Sequence, residues 1–561
     1  MNSLAILGFA IVVLLCGYTL YGRWLEKTWG IAPKAIPPAQ RFADGQDYVP
    51  SNKFLVFAHQ FSSIAGAGPV TGPIIAAMFG WVPVLLWLLV GGIFFGAVQD
   101  FSSLYASVKN DGKSIGYLIE KYIGKTGKTL FLLFCWIFTL LVIAAFSDIV
   151  AKTFNGFTPE GGEKVPNAAA ASISMLFIAG AVVFGLFIKY CNPNQFTQFV
   201  VGLVFVCIMM AAGIYWPMFA SAQTWSGVIF AYMFVAAVMP MWLLMQPRDY
   251  LSTFLLLGMI LGAVLGVIAA RPDMNLPAFN GFTLENGVAL FPALFITIAC
   301  GAISGFHSLV SANTSSKTIA NEKDMLFVGY GAMSVETLLG VVALVIAGAA
   351  AVGGKMPAGT PFVIFSTGVA GFLTMLGINE HVAVCFMTMC VSALALTTLD
   401  SVARIGRISF QELLDFRSAD EAGPLQRFFT NRFVATTITL IFGYLLSLGG
   451  YMNVWPLFGS ANQLLAALVL IVVAVFLRVT GRTGWTLYAP MCFMLLVTMT
   501  ALLQAAIRLL NRLGSEQPFV LAVDGLQLVV AILLMGLAAV VAISGLKRLG
   551  SGSKNNAQAT M

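Results

Sequence analysis

Long apolar runs alternate with short polar connectors along almost the whole chain. They lie near residues 3–22, 54–79, 82–107, 129–152, 168–189, 197–219, 226–246, 251–270, 291–312, 327–352, 381–400, 432–449, 458–477, 485–507 and 519–546. Each comes close to the ~20 residues that a helix needs to cross a bilayer. The pattern predicts an all-α polytopic membrane protein with about fifteen transmembrane helices. Helix is the expected element because backbone N–H and C=O groups cannot stay unpaired in hydrocarbon. A β-barrel would show short alternating strands, and these runs are continuous. Residues 360–376 make a shorter run broken by glycines, read as a half-helix on the outer side. The first run lacks a basic leader and an A-x-A cleavage site, so it is expected to be a retained helix. Spans two and seven are five apart and opposed in direction, as in transporters built from inverted repeats of five helices.

Composition agrees with the pattern. Of 561 residues, 59% are hydrophobic and only 9% charged, whereas a soluble domain carries about 25% charged residues. Basic residues orient the chain. With the N-terminus outside and the C-terminus cytoplasmic, 24 of the 30 Lys and Arg residues fall on the inner side, a positive-inside bias. Making 360–376 a full span would put the arginine-rich 401–432 loop outside, which favours the count of fifteen. The net charge of +7 therefore reflects membrane orientation and not nucleic-acid binding. The eight cysteines all sit in apolar runs without a C-x-x-C pair, and read as small hydrophobes. No connector is long enough for a soluble catalytic or regulatory domain.

The candidate chemistry lies inside these runs. Ala65, Gly66, Ala67, Gly68 and Pro69, followed by Gly72 and Pro73, fall in mid-membrane in span two. Pro removes a donor and Gly weakens a helix, so a break is expected there. Freed carbonyls at such a break can hold a cation, and the half-helix N-terminus can hold an anion; the competing reading is a packing kink. In span nine, Ser304, His307, Ser308 and Ser311 follow i, i+3, i+4, i+7 spacing on one expected helical face. The serines can bind an ion or solute and His307 can carry a proton, or the stripe can simply bond neighbouring helices.

Ionisable residues in hydrocarbon are rare and usually functional or paired. His59, Gln99, Asp100 and Glu336 are candidates for a proton or cation site. Arg248 and Asp249, with Asp400 and Arg404 at i, i+4, read as gating salt bridges at the inner side, or as snorkelling interface charges. Asn462 and Gln463 add two amides to an apolar helix, for solute or for packing. There is no Walker A sequence, no H-E-x-x-H or Cys/His metal set and no G-x-S-x-G, so neither ATP hydrolysis, a metal centre, a cofactor nor an enzyme is expected.

Several longer words carry a family likeness. They are the stretch DGQDYVP at 44–50, IAGAGP at 64–69, GAVQDF at 96–101, PRDYLSTF at 247–254, LFITIACGAISGFH at 294–307 and WPLFGSANQ at 455–463. Together they resemble the carbon starvation protein A (CstA) family over about residues 44–465. The resemblance implies a bacterial inner-membrane transporter of peptides, or in some relatives of pyruvate, made when carbon runs short. It also implies a five-plus-five inverted-repeat core like that of amino acid transporters, with the broken span two and the Ser304–Ser308 region of span nine forming the ion and substrate site. Longer members carry an extra N-terminal helix and a large insertion after the tenth span here, where this chain has only residues 353–380.

The expected organisation is an N-terminal helix and inner loop (1–53), a transport core (54–400) and C-terminal helices with a cytoplasmic tail (401–561). The function favoured is secondary active import of small organic solutes, most simply peptides, by alternating access driven by a proton or sodium gradient. Lipids and the solute are the expected partners. Pyruvate symport remains an alternative, as do a nutrient sensor and a channel.

Overall fold

The helices begin where the sequence offers caps. Asn52, Ser114, Asn194, Ser221, Thr360 and Asn431 each stand in extended backbone and accept a hydrogen bond from an N–H in the first turn that follows. Such a side chain satisfies a donor that the helix itself leaves orphaned. The computed structural model describes residues 2–44, 48–158, 160–240, 243–414, 423–482, 484–513 and 520–550. Residues 45–47 of the first family word, Arg417, Lys554 and the 551–561 tail lie outside the described residues.

Among the described residues there are isolated bridges but no strands. Eleven helices among the described residues are long and apolar enough to cross a membrane, and two bent pairs raise that to as many as thirteen. The run expected at 226–246 is the shorter helix Ala222–Val238. It stops because Met239, which precedes Pro240, is held extended at φ −66°, ψ 152°. The run expected as one span at 291–312 is two short helices, Leu290–Thr297 and Gly305–Asn313, separated by irregular backbone at 298–304. Residues 361–374 form a separate short helix, as the glycine-broken run suggested.

The chain divides into two compact units, each assembled from segments distant in sequence. One comprises Met1–Leu7, Thr139–Pro277 and Val342–Val454. Its centre is the 35-residue helix Glu380–Leu414, against which Val165–Cys191, Ala222–Val238, Met245–Ala270, Pro361–Thr374 and Arg432–Ser447 pack. The other comprises Gly8–Phe138, Ala278–Val341 and Trp455–Met561.

In this second unit, span two breaks as the Gly-Pro pattern predicts. Helices Lys53–Ile64 and Gly68–Phe79 meet at 46°. Between them Ala65 takes φ −73°, ψ 61°, and the Gly66 N–H donates to the Ile64 carbonyl, 2.7 Å away, in an inverse γ-turn. Two glycines let this break meet the break at 298–304. A Cβ on Gly68 would collide with the Cys300 side chain, and one on Gly72 would lie 2.8 Å from the Thr297 carbonyl oxygen.

Connectors of the same unit are fastened to the helix ends. Glu322 accepts from Lys109 Nζ at 2.7 and 2.8 Å and from the Ala32 N–H at 2.9 Å. The N–H groups of Val49 and Ser51 donate to the Lys317 and Thr318 carbonyls, and Arg41 pairs with Asp111.

Candidate functional site

The break between Leu290–Thr297 and Gly305–Asn313 frees buried carbonyls, and each of them needs a donor. Side chains of neighbouring helices supply them. Gln463 Nε2 donates to the Phe295 carbonyl at 2.5 Å and to Ile298 at 3.3 Å, and the Trp87 indole also reaches Ile298 at 3.3 Å. Trp455 Nε1 donates to Thr297 at 3.2 Å, and Gln99 Nε2 donates to Ser304 at 2.7 Å. Asn462 holds the start of the second half-helix: its Oδ1 accepts from the Phe306 N–H and its Nδ2 donates to Ser304 Oγ at 3.0 Å. Both amides thus close the backbone break.

The break also divides the stripe read from the sequence. Ser304 precedes the second half-helix in extended backbone, at φ −137°, ψ 126°, so it does not continue a helical face with the others. His307, Ser308 and Ser311 do share the Gly305–Asn313 helix and are buried. Ser308 accepts from Gln99 and from Ser103 Oγ at 3.1 Å. Ser311 accepts from Gln60 Nε2 at 2.9 Å, while Gln60 Oε1 accepts from Ser315.

Beside this network three ionisable side chains from three helices converge. His307 Nδ1 lies 3.1 Å from Asp100 Oδ2, and its Nε2 lies 3.4 Å from Glu336 Oε2. Asp100 belongs to Trp81–Val108 and Glu336 to Leu326–Ala350. All three are fully buried. The Asp100 contact is a hydrogen bond; the Glu336 contact is within ion-pair range but lacks hydrogen-bond geometry. Gln99 Oε1, Asp100 Oδ1 and Glu336 Oε1 have no hydrogen-bond partner among the described residues.

By its donor count such a triad can take up a proton. Neutral imidazole has one N–H and can donate to only one carboxylate, while imidazolium donates to both. One proton therefore changes which contacts His307 can make. The histidine paired with the carboxylates is His307; His59 is half-buried on Lys53–Ile64. Residues 65–69 are buried at the break, joined to the network through the contact of Gly68 with Cys300.

Arg248, Asp249, Asp400 and Arg404 belong to the other unit. The expected i, i+4 ion pair between Asp400 and Arg404 is replaced. Asp400 pairs with Arg248, and Arg404 donates to the Ala236 and Met239 carbonyls, because the end of Ala222–Val238 leaves those carbonyls without helical donors. Sequence reasoning missed Ser103, Ser315 and Cys300. Ser103 had a signal, standing three residues after Asp100 on one helix face. The other two had none, since their neighbours come from distant segments.

The family model for the carbon starvation protein CstA matches residues 2–357 and 349–501. The chain belongs to the CstA family. The peptide transporter CstA of Escherichia coli K12 is 33% identical over 585 residues, covering 89% of this chain and 80% of that protein. The pyruvate/proton symporter BtsT of the same organism is 31% identical, covering 89% of this chain and 81% of its own. The peptide transporter CstA of Bacillus subtilis is 30% identical and covers 87% of both chains. These CstA relatives carry the names of transporters and not of enzymes.

Proposed function

We propose that this chain is a secondary active transporter of small organic solutes, peptides in the first instance, working by alternating access coupled to protons. The observation that carries the reading is His307 held between Asp100 and Glu336, all three fully buried. An ionisable cluster is costly to bury in a membrane unless it is used, and this one changes its contacts with a single proton. The solute binds beside the break at residues 65–69, with Gln99, Ser304 and Ser308 offering amide and hydroxyl groups. The buried N-terminus of Gly68–Phe79 suits a carboxylate. Residues 54–400 form a five-plus-five core, and the chain crosses a bacterial inner membrane fifteen times with its N-terminus outside.

A second reading, pyruvate with protons, is favoured by the likeness to the pyruvate/proton symporter. Uptake into proteoliposomes of labelled dipeptide and labelled pyruvate, under imposed proton or sodium gradients, separates the readings. Saturable dipeptide accumulation driven by a pH gradient is the expected result. Pyruvate accumulation alone moves the solute to monocarboxylates, and a requirement for sodium replaces the coupling ion. If neither solute accumulates under any gradient, the transporter reading fails and a sensor takes its place; currents without saturation would point to a channel.

A further inference from the structure

The Thr139–Pro277 and Val342–Val454 segments hold a second buried polar cluster that proton coupling does not use. Its centre is Arg248, in the first turn of the 26-residue helix Met245–Ala270 and only 1% exposed. Arg248 engages its surroundings in a lopsided way. Its Nη1 alone contacts Asp400 Oδ2 and the Tyr232 hydroxyl, and that hydroxyl donates to the same Asp400 oxygen at 2.6 Å. Nε and Nη2 have no hydrogen-bond partner among the described residues, although both are buried.

Nε–H and Nη2–H form one edge of the planar guanidinium, spaced to meet both oxygens of a carboxylate, and Arg–carboxylate pairs commonly use two such parallel bonds. Here Asp400 occupies the end of the fork and leaves this edge open. Ser252, one turn further along the same helix and also buried, has a hydroxyl without a partner among the described residues. Leaving charged donors unmade in a buried site costs free energy, so an acceptor that fits the edge gains what no side chain among the described residues supplies.

The nearby charges favour an anion. Arg404 and Arg407 follow Asp400 on Glu380–Leu414 at one and two turns, and each has a buried Nε without a partner.

We propose that this unit contains a binding site for a small organic carboxylate, with the Nε–Nη2 edge of Arg248 holding both of its oxygens and Ser252 donating alongside. Asp400 and Tyr232 position the guanidinium by fixing Nη1. The carboxylate of pyruvate and that of a peptide C-terminus share this chemistry. Calling the ligand a transported solute rests on the function proposed above; the site itself does not.

The test is equilibrium binding to the purified full-length protein in detergent, kept apart from uptake. Pyruvate is compared with pyruvamide, and dialanine with dialanine amide, on the unmodified chain. Whichever solute binds, its amide is expected to bind roughly 10- to 150-fold more weakly, the range for a lost charge-assisted hydrogen bond. Arg248→Lys, which keeps the charge but lacks the fork, is expected to weaken the carboxylate form and bring it close to the amide. Equal binding of acid and amide, unchanged binding by Arg248→Lys, or no binding of any of the four at millimolar concentration overturns the site. If Arg248→Lys does not fold, Ser252→Ala takes its place, and acid binding that it leaves unchanged overturns the site. Carboxylate-selective binding without gradient-driven uptake would sustain the site while sinking the transporter reading.

Discussion

Asp100→Asn is the sharpest probe of the buried triad. The substitution keeps the side chain's size and one carbonyl oxygen, but removes the charge that faces His307 Nδ1 at 3.1 Å. At that separation, with an effective dielectric of about 20, the attraction between carboxylate and imidazolium is about 5 kcal/mol, an upper limit. The hydrogen bond supplies a lower one: the charge-assisted bond contributes about 1.5–3 kcal/mol, a neutral bond about 1 kcal/mol. Proton binding by the triad should therefore weaken by at least about 0.5–2 kcal/mol, or roughly 2- to 30-fold. The assay is uptake into proteoliposomes under an imposed pH gradient, alongside solute exchange without a gradient. Gradient-driven accumulation is expected to fall at least roughly twofold and to lose most of its pH dependence, while exchange is reduced less. Thermal unfolding in detergent should change little, because a buried amide is less costly than a buried charge. Wild-type accumulation with an unchanged pH profile would refute the assignment of Asp100 to proton coupling.

His307→Ala removes the group both carboxylates share and is expected to abolish gradient-driven uptake while purified protein still elutes as a single folded species; near-normal uptake would remove the triad from the mechanism. Gly72→Ala forces a methyl against backbone at Thr297 and Ile298 and should destabilise by about 1–3 kcal/mol, seen as a lower unfolding temperature. Gly68→Ala meets only the Cys300 side chain, so Cys300→Gly should restore the unfolding temperature of Gly68→Ala but not that of Gly72→Ala. Gln463→Leu takes the donor from the Phe295 carbonyl and should destabilise by about 1–3 kcal/mol, read in the same melt. Glu322→Gln loosens Lys109 and the Ala32 N–H, and is expected to speed limited proteolysis in the 30–52 connector.

The sequence by itself determined the element type and the one break that local chemistry enforces. Apolar runs of this length can only be helices in a bilayer, and Gly66, Gly68, Pro69, Gly72 and Pro73 interrupt a helix wherever they stand together. It also picked out Asp100, His307 and Glu336 separately, because charge in hydrocarbon is conspicuous in any register. Tertiary structure decided the rest. Nothing local in 298–304 carries a proline, and the backbone leaves the helix there because Gln463, Trp455, Trp87 and Gln99, from distant segments, satisfy its carbonyls. The i, i+4 rule suggested Asp400 with Arg404, but a buried carboxylate takes the partner that packing delivers, and that is Arg248. The triad likewise exists only once three helices converge, since no sequence spacing brings residues 100, 307 and 336 within hydrogen-bond reach of one another.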